Sequence, residues 1–164
     1  MKFKVDYDKN TTCTDACQNV CPNRRLRVAI GEGNYDSLFH FETLMDYQPK
    51  QSGQVKVEVK LFRFKGSLTT QEILAKMDAE GYRPAELFEL LAFGAKYPEK
   101  QRKFTIVALG TSASRNGFTY IPCLTGGTDH RYLETTWGHE KNEPWEYAEH
   151  DRFLAIKKSL PSSS

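Results

Sequence analysis

The chain has 164 residues, 39% of them hydrophobic, and its 23 basic and 21 acidic side chains leave a net charge of only +2. One ordinary domain of this length buries roughly 70% of the surface that its unfolded chain exposes, so folding needs no disulfide or metal staple. So balanced a charge gives no global field to draw the protein onto nucleic acid or acidic lipid, which argues against either as its main partner.

The N-terminal MKFKVDYDK alternates apolar Phe3, Val5 and Tyr7 with charged neighbours. This predicts a strand and lacks the apolar core of a secretory signal. No run reaches the roughly eighteen apolar residues of a membrane span. A cytoplasmic protein with mostly reduced cysteines and no membrane partner is therefore expected.

In CTDACQNVCP, Cys13, Cys17 and Cys21 recur at steps of four, which on an α-helix places them on one nearly straight stripe. Thr12 and Asp15 suit the start of such a helix and Pro22 a position past its end. Parallel Cβ vectors disfavour disulfides within the stripe. A zinc or iron–sulfur site needs a fourth ligand and lacks paired cysteines two residues apart. The preferred reading is a helix face of small buried hydrophobes. The remainder of 10–54 is mixed. It holds a basic stretch (Arg24, Arg25, Arg27), read as a solvated face or a contact for an acidic partner, then a turn-like GEGN and an aromatic stretch.

Residues 55–64, VKVEVKLFRF, alternate Val55, Val57, Val59 and Leu61 with Lys56, Glu58 and Lys60, the period of a half-buried strand. Thr69 and Glu72 form a capping-box pair that starts a helix over about 70–80, and Gly81 suits the position past its end. Pro84 sits in the first turn of a second helix, whose Leu87, Leu90 and Leu91 form a core-facing stripe and whose stop is Gly94. Four further apolar segments, from 104, 118, 130 and 151, are read as strands; Pro122 confines its own to an edge or a bulge. Strand, helix, helix and then strands make an α+β arrangement with an antiparallel sheet and two consecutive helices. Its first strand (55–64) and last (from 151) are expected to pair. The terminal PSSS is expected to be disordered.

The stretches GYRPA (81–85), ELLAFGAKYP (89–98), IVALG (106–110), IPCL (121–124) and RFLAIKK (152–158) resemble a pattern shared by short bacterial proteins, a resemblance that implies no activity. More distantly, a helix, the GYRP turn and a second helix rich in Glu and Leu are similar to a region of the C-type-lectin-like fold. That fold occurs in formylglycine-generating enzymes and in the variable binding proteins of diversity-generating retroelements. The resemblance implies a C-type-lectin-like core over 55–158, preceded by a strand and an irregular or helical extension in 1–54 and followed by a tail at 159–164. It does not carry the chemistry across. Formylglycine-generating enzymes hold copper with a cysteine pair, where this region has only Cys123. Calcium-dependent lectins use a Glu-Pro-Asn loop followed by Trp-Asn-Asp, whereas here Asn142, Glu143 and Pro144 run in reverse and no such motif follows. No cofactor is implied.

The richest composition lies in TGGTDHRYLETTWGHEKNEPWEYAEHD, residues 125–151. Acids and aromatics concentrated in a long connection suggest a recognition surface for a protein or small ligand, built from Trp137, His139, Glu143, Trp145 and Tyr147. The competing reading tucks the tryptophans under the loop as a satellite core. His130, His139 and His150 stand near acids as candidate metal ligands, though at no compact ligand spacing. Cys123 beside a loop histidine is a formal nucleophile, yet an apolar strand favours a buried thiol. The glycines of GEGNYD and TGGTD lack phosphate-loop spacing and are read as turns. A non-catalytic binding module leads, with a metalloprotein or small enzyme and an oligomeric structural subunit as alternatives.

Overall fold

The structure, a computed structural model, describes residues 1–8, 24–138, 143–145 and 149–159. The cysteine stripe, His139, Tyr147 and the PSSS tail lie outside the described residues. In chain order the elements are β1 (Lys2–Asp6), α1 (Arg24–Gly33), β2 (Ser37–Phe39), a single 3-10 turn (Phe41–Leu44), β3 (Gln54–Phe62), β4 (Leu68–Thr69), α2 (Thr70–Ala79), β5 (Tyr82–Pro84), α3 (Leu87–Lys96), β6 (Thr105–Val107), β7 (Ala113–Arg115), β8 (Phe118–Gly126), β9 (Arg131–Gly138), β10 (Pro144–Trp145) and β11 (Asp151–Lys157).

Among the described residues nine strands form one sheet in the order β1-β3-β11-β6-β8-β9-β2, with β5 on β11 and β7 on β8. Pairing is antiparallel except for β11 with β6 and β2 with β9. The expected α+β class therefore holds at the level of helices on a large, mostly antiparallel sheet. The expected pairing of the 55–64 strand with the last strand is present, in the register Phe62↔Phe153 to Val59↔Ile156. β1 adds outside β3, from Lys2↔Glu58 to Asp6↔Gln54.

At β11 both faces of the sheet are covered, which explains the unbroken apolar run Phe153–Ile156. Leu154 and Ile156 point into a core shared with α1 and α3, while Phe153 and Ala155 point into a second core with Ile73 and Met77 of α2. A strand buried on both faces has no polar side to alternate. Each large side chain so buried contributes about 1.5–3 kcal/mol of transfer free energy.

The capping box at α2 is present, Thr69 Oγ1 accepting from Glu72 N–H at 3.2 Å and Glu72 Oε2 from Thr69 N–H at 2.8 Å. Other boundaries differ from the expectations. Pro84 closes β5 instead of entering a helix, and α3 begins at Leu87 with Glu86 as its N-cap. Gly94 does not stop α3, which runs on to Lys96; a Cβ at Gly94 would meet the Tyr35 hydroxyl and Leu124 Cδ1, so the glycine serves close packing. The basic stretch, read as a solvated face, and GEG, read as a turn, together form helix α1, with Leu26 and Ala29 buried against the core and Arg25 and Arg27 exposed. Its apolar face packs into the core that α3 shares, and such tertiary packing stabilises a short helix more than propensity does. Pro122 lies inside β8 between two strands. Its carbonyl accepts from Ala108 N–H at 3.1 Å, so its nitrogen faces the side where β6 has ended and β7 has not begun. No ladder partner is lost there.

Arg131 holds the helix ends to the sheet. From a buried position at the start of β9 its guanidinium donates to Gly33 O at 2.6 Å, Gly94 O at 2.8 Å and Gln101 Oε1 at 2.9 Å. The two glycine carbonyls lie in the last turns of α1 and α3, where the helix dipole favours a cation. No helix of the described residues is long and apolar enough to cross a membrane.

Candidate functional site

β7 turns into β8 through Asn116 and Gly117, at φ 53° and 81°. Two successive positive φ values make the two-residue hairpin turn that Asn-Gly favours, and this SRNGF signal marks β7, a strand beyond those expected from the apolar segments. The hairpin sets Arg115↔Phe118, and β8 in turn sets Tyr120↔Trp137 on β9. Alternate residues share a face, so Phe118, Tyr120 and Trp137 stand together at the end of the sheet. The Phe118 and Trp137 rings meet at 4.9 Å between centroids, yet remain 47% and 60% exposed. Two large rings that touch at an interplanar angle of 55° and still face solvent form an apolar platform with Arg115 beside it.

The five loop residues proposed from the sequence do not share one environment. Trp137 is on this platform. Glu143 is exposed just before β10. Trp145 is only 3% exposed: its ring packs edge-on against Phe153 at 5.4 Å and its Nε1–H donates to Thr70 Oγ1 at 3.0 Å. β10 pairs with β4 through Trp145↔Leu68, so this tryptophan anchors the loop to the α2 face of the sheet. The satellite-core reading describes Trp145 and the exposed reading Trp137. His139 and Tyr147 lie outside the described residues.

A second polar centre has no counterpart among the sequence-based candidates. Glu89, fully buried on α3, accepts from the Tyr7 hydroxyl at 2.6 Å, from Arg83 Nη2 at 2.5 Å and Nη1 at 3.1 Å, and from Glu86 N–H at 2.7 Å. Its position in the first turn also suits a carboxylate. Burial alone would weaken the Arg83 charge, but hydrogen bonds and charge from Glu89 prevail and hold the guanidinium more firmly protonated. Burial, then Glu89, pushes the Tyr7 hydroxyl well above its ordinary value. Glu86, 7% exposed, lines a cleft of about 320 Å³ with Lys50, Gln51, Arg83, Pro84 and Gly110. Its carboxyl is raised by burial and next by the Glu89 charge. A signal for this centre exists in the sequence: Glu86 and Glu89 interrupt an otherwise apolar PAELFELLAF that Arg83 precedes, and charges in a buried stripe need partners.

Cys123 is 1% exposed, and burial pushes its thiol well above the ordinary range. That opposes the thiolate a nucleophile needs. His130 Nδ1 lies 2.7 Å from Asp129 Oδ1 and its ring stacks on Tyr132 at 4.7 Å. Among the described residues no three His, Cys, Asp or Glu side chains converge as a metal site. Compared with known family models, curated proteins and solved structures, the chain matches none.

Proposed function

We propose that the protein is a binding module that recognises a protein or small ligand through the Phe118–Trp137 platform and the adjoining loop that carries Glu143. The observation that supports this reading most is the 60% exposure of Trp137 while it packs, tilted, against a second exposed ring. A merely structural tryptophan is buried in the manner of Trp145. The platform stands on paired strands, so its geometry is fixed before a ligand arrives, which lowers the ordering cost of binding. A C-type-lectin-like core belongs to the same proposal; the pairing of β3 with the closing strand β11 supports it, although the two helices expected to be consecutive are separated by the short strand β5, which also pairs with β11.

The test uses the emission of Trp137 in a Trp145→Phe background to screen a peptide library and a fragment library. Ligands that shift that emission should lose binding to Phe118→Ala/Trp137→Ala by about tenfold or more, the size of a hot-spot interaction. Hits that bind the double variant as tightly as the parent would sink the platform reading.

A further inference from the structure

At the opposite end of β8 and β9 from the platform, adjacent strands bring cations together. Continuing the β3–β11 register by one residue past Phe62↔Phe153 sets Arg63 directly opposite Arg152. Like charges opposite each other on paired strands are destabilising. Arg63 and Arg152, with Lys103, His150, Phe104, Thr105, Gly126 and Glu149, line a cleft of about 370 Å³. Among the described residues of the wall little neutralises them. Glu149, the one carboxylate among the described wall residues, accepts from Gly66 N–H at 3.3 Å. Neither the Arg63 guanidinium nor the Lys103 ammonium has an acidic partner among the described residues. Arg152 spends Nη1 on the carbonyls of Glu149 and Asp151, and its guanidinium lies 4.1 Å from the centre of the Phe104 ring, which fixes its plane. Asp151, next in the chain, offsets part of this charge, while Arg63 repels it.

We propose that this cleft binds a small molecule carrying a phosphate monoester, held by Arg63, Arg152 and Lys103. Three cations against Glu149 and the part offset by Asp151 leave a positive surplus that favours a group of about −1.5 to −2 charge near pH 7. Planar guanidinium forks suit its oxygens. The Thr105 hydroxyl is a further donor, Phe104 offers an apolar wall for the esterified part, and the volume is that of a small-ligand site. This site is separate from the platform and stands or falls without it.

The test titrates the full chain, at matched ionic strength, with phenyl phosphate, inorganic phosphate and phosphatidate vesicles. It follows the backbone amide shifts of Phe104, Thr105, Gly126 and Arg152. Saturable shifts with phenyl phosphate are expected, tighter than with inorganic phosphate. Arg63→Ala/Lys103→Ala should weaken them about a hundredfold, near tenfold for each cationic side chain removed, and Arg63→Lys should fall between. Three results overturn the proposal: no saturable shift at these amides, equal affinity in the double variant, or a response to inorganic phosphate or to vesicles as strong as that to phenyl phosphate.

Discussion

Tyr7 and Glu89 are separated by 82 residues, yet the Tyr7 hydroxyl donates to Glu89 Oε1 at 2.6 Å. This bond ties the segment that follows β1 to α3 through a carboxylate that Arg83 also holds. Hydrogen bonds to a charged group contribute about 1.5–3 kcal/mol. Tyr7→Phe should cost that much in urea unfolding while leaving the fold intact. Arg83→Ala strands a buried carboxylate and should cost about 3–5 kcal/mol. A double-mutant cycle should show coupling between the two positions; additive losses would mean that the three groups do not act as a unit.

Glu86 makes stability depend on pH in a stated direction. Burial first, and Glu89 second, raise its carboxyl, against the pull of Arg83 and Lys50. The folded state therefore holds this proton more tightly than the unfolded chain. The resulting stability is fully present below the ordinary carboxylate value of about 4.3 and is lost as pH rises through the raised one. Glu86→Gln keeps the shape and removes the titration. The variant should be more stable than the parent at pH 7, with the gap closing as the solution is acidified toward the ordinary carboxylate value. Urea midpoints across that range decide it, and a gap independent of pH would contradict this account.

Arg131 serves acceptors on three separate segments at once. Arg131→Met leaves Gly33 O, Gly94 O and Gln101 Oε1 buried without that donor, at a cost on the order of 3–5 kcal/mol. Arg131→Lys retains charge but not the planar fork, and should recover only part of the loss. Hydrogen exchange should accelerate first in the last turns of α1 and α3. A uniform change across the sheet would instead indicate general destabilisation.

Period and capping made the 55–158 region readable. VKVEVKLF alternates, Thr69 and Glu72 cap, and Leu87, Leu90 and Leu91 form a stripe, so β3, α2 and α3 follow from local rules. What local rules leave out depends on distant partners. α1 carries only a short apolar face and ends in glycines, and it is a helix because Leu26 and Ala29 pack into the core that α3 shares. Pro122 is tolerated inside a sheet because two short strands divide its flank between them. For the candidate site, composition singled out residues 125–151 but treated their tryptophans alike. Register on β8 and pairing with β4 are what expose Trp137 and bury Trp145. The clustering of Arg63 with Arg152 is likewise a matter of register, invisible across the long stretch of chain that separates them.

Cys123 provides a chemical check on burial. In the native protein its thiol is both shielded and pushed above the ordinary range, so alkylation by iodoacetamide at neutral pH should spare it and proceed only after unfolding. Peptide mass mapping before and after urea reads this directly. Rapid native labelling would restore it as a reactive residue and reopen a catalytic role.

The two tryptophans give the most direct test of the division between platform and anchor. Trp145→Ala removes a buried ring that packs on Phe153 and hydrogen-bonds Thr70, and should cost about 3–5 kcal/mol. Trp137→Ala removes a ring that is 60% exposed, and should stay within about 1 kcal/mol of the parent. Emission should follow the same division: Trp145→Phe leaves a red-shifted band that acrylamide quenches, and Trp137→Phe leaves a blue-shifted band that it does not. If Trp137→Ala proved as destabilising as Trp145→Ala, that ring would be part of the core and the platform would lose its claim to recognition. If instead stability is kept and quenching is strong, Trp137 is an exposed ring on a rigid sheet that the fold does not need.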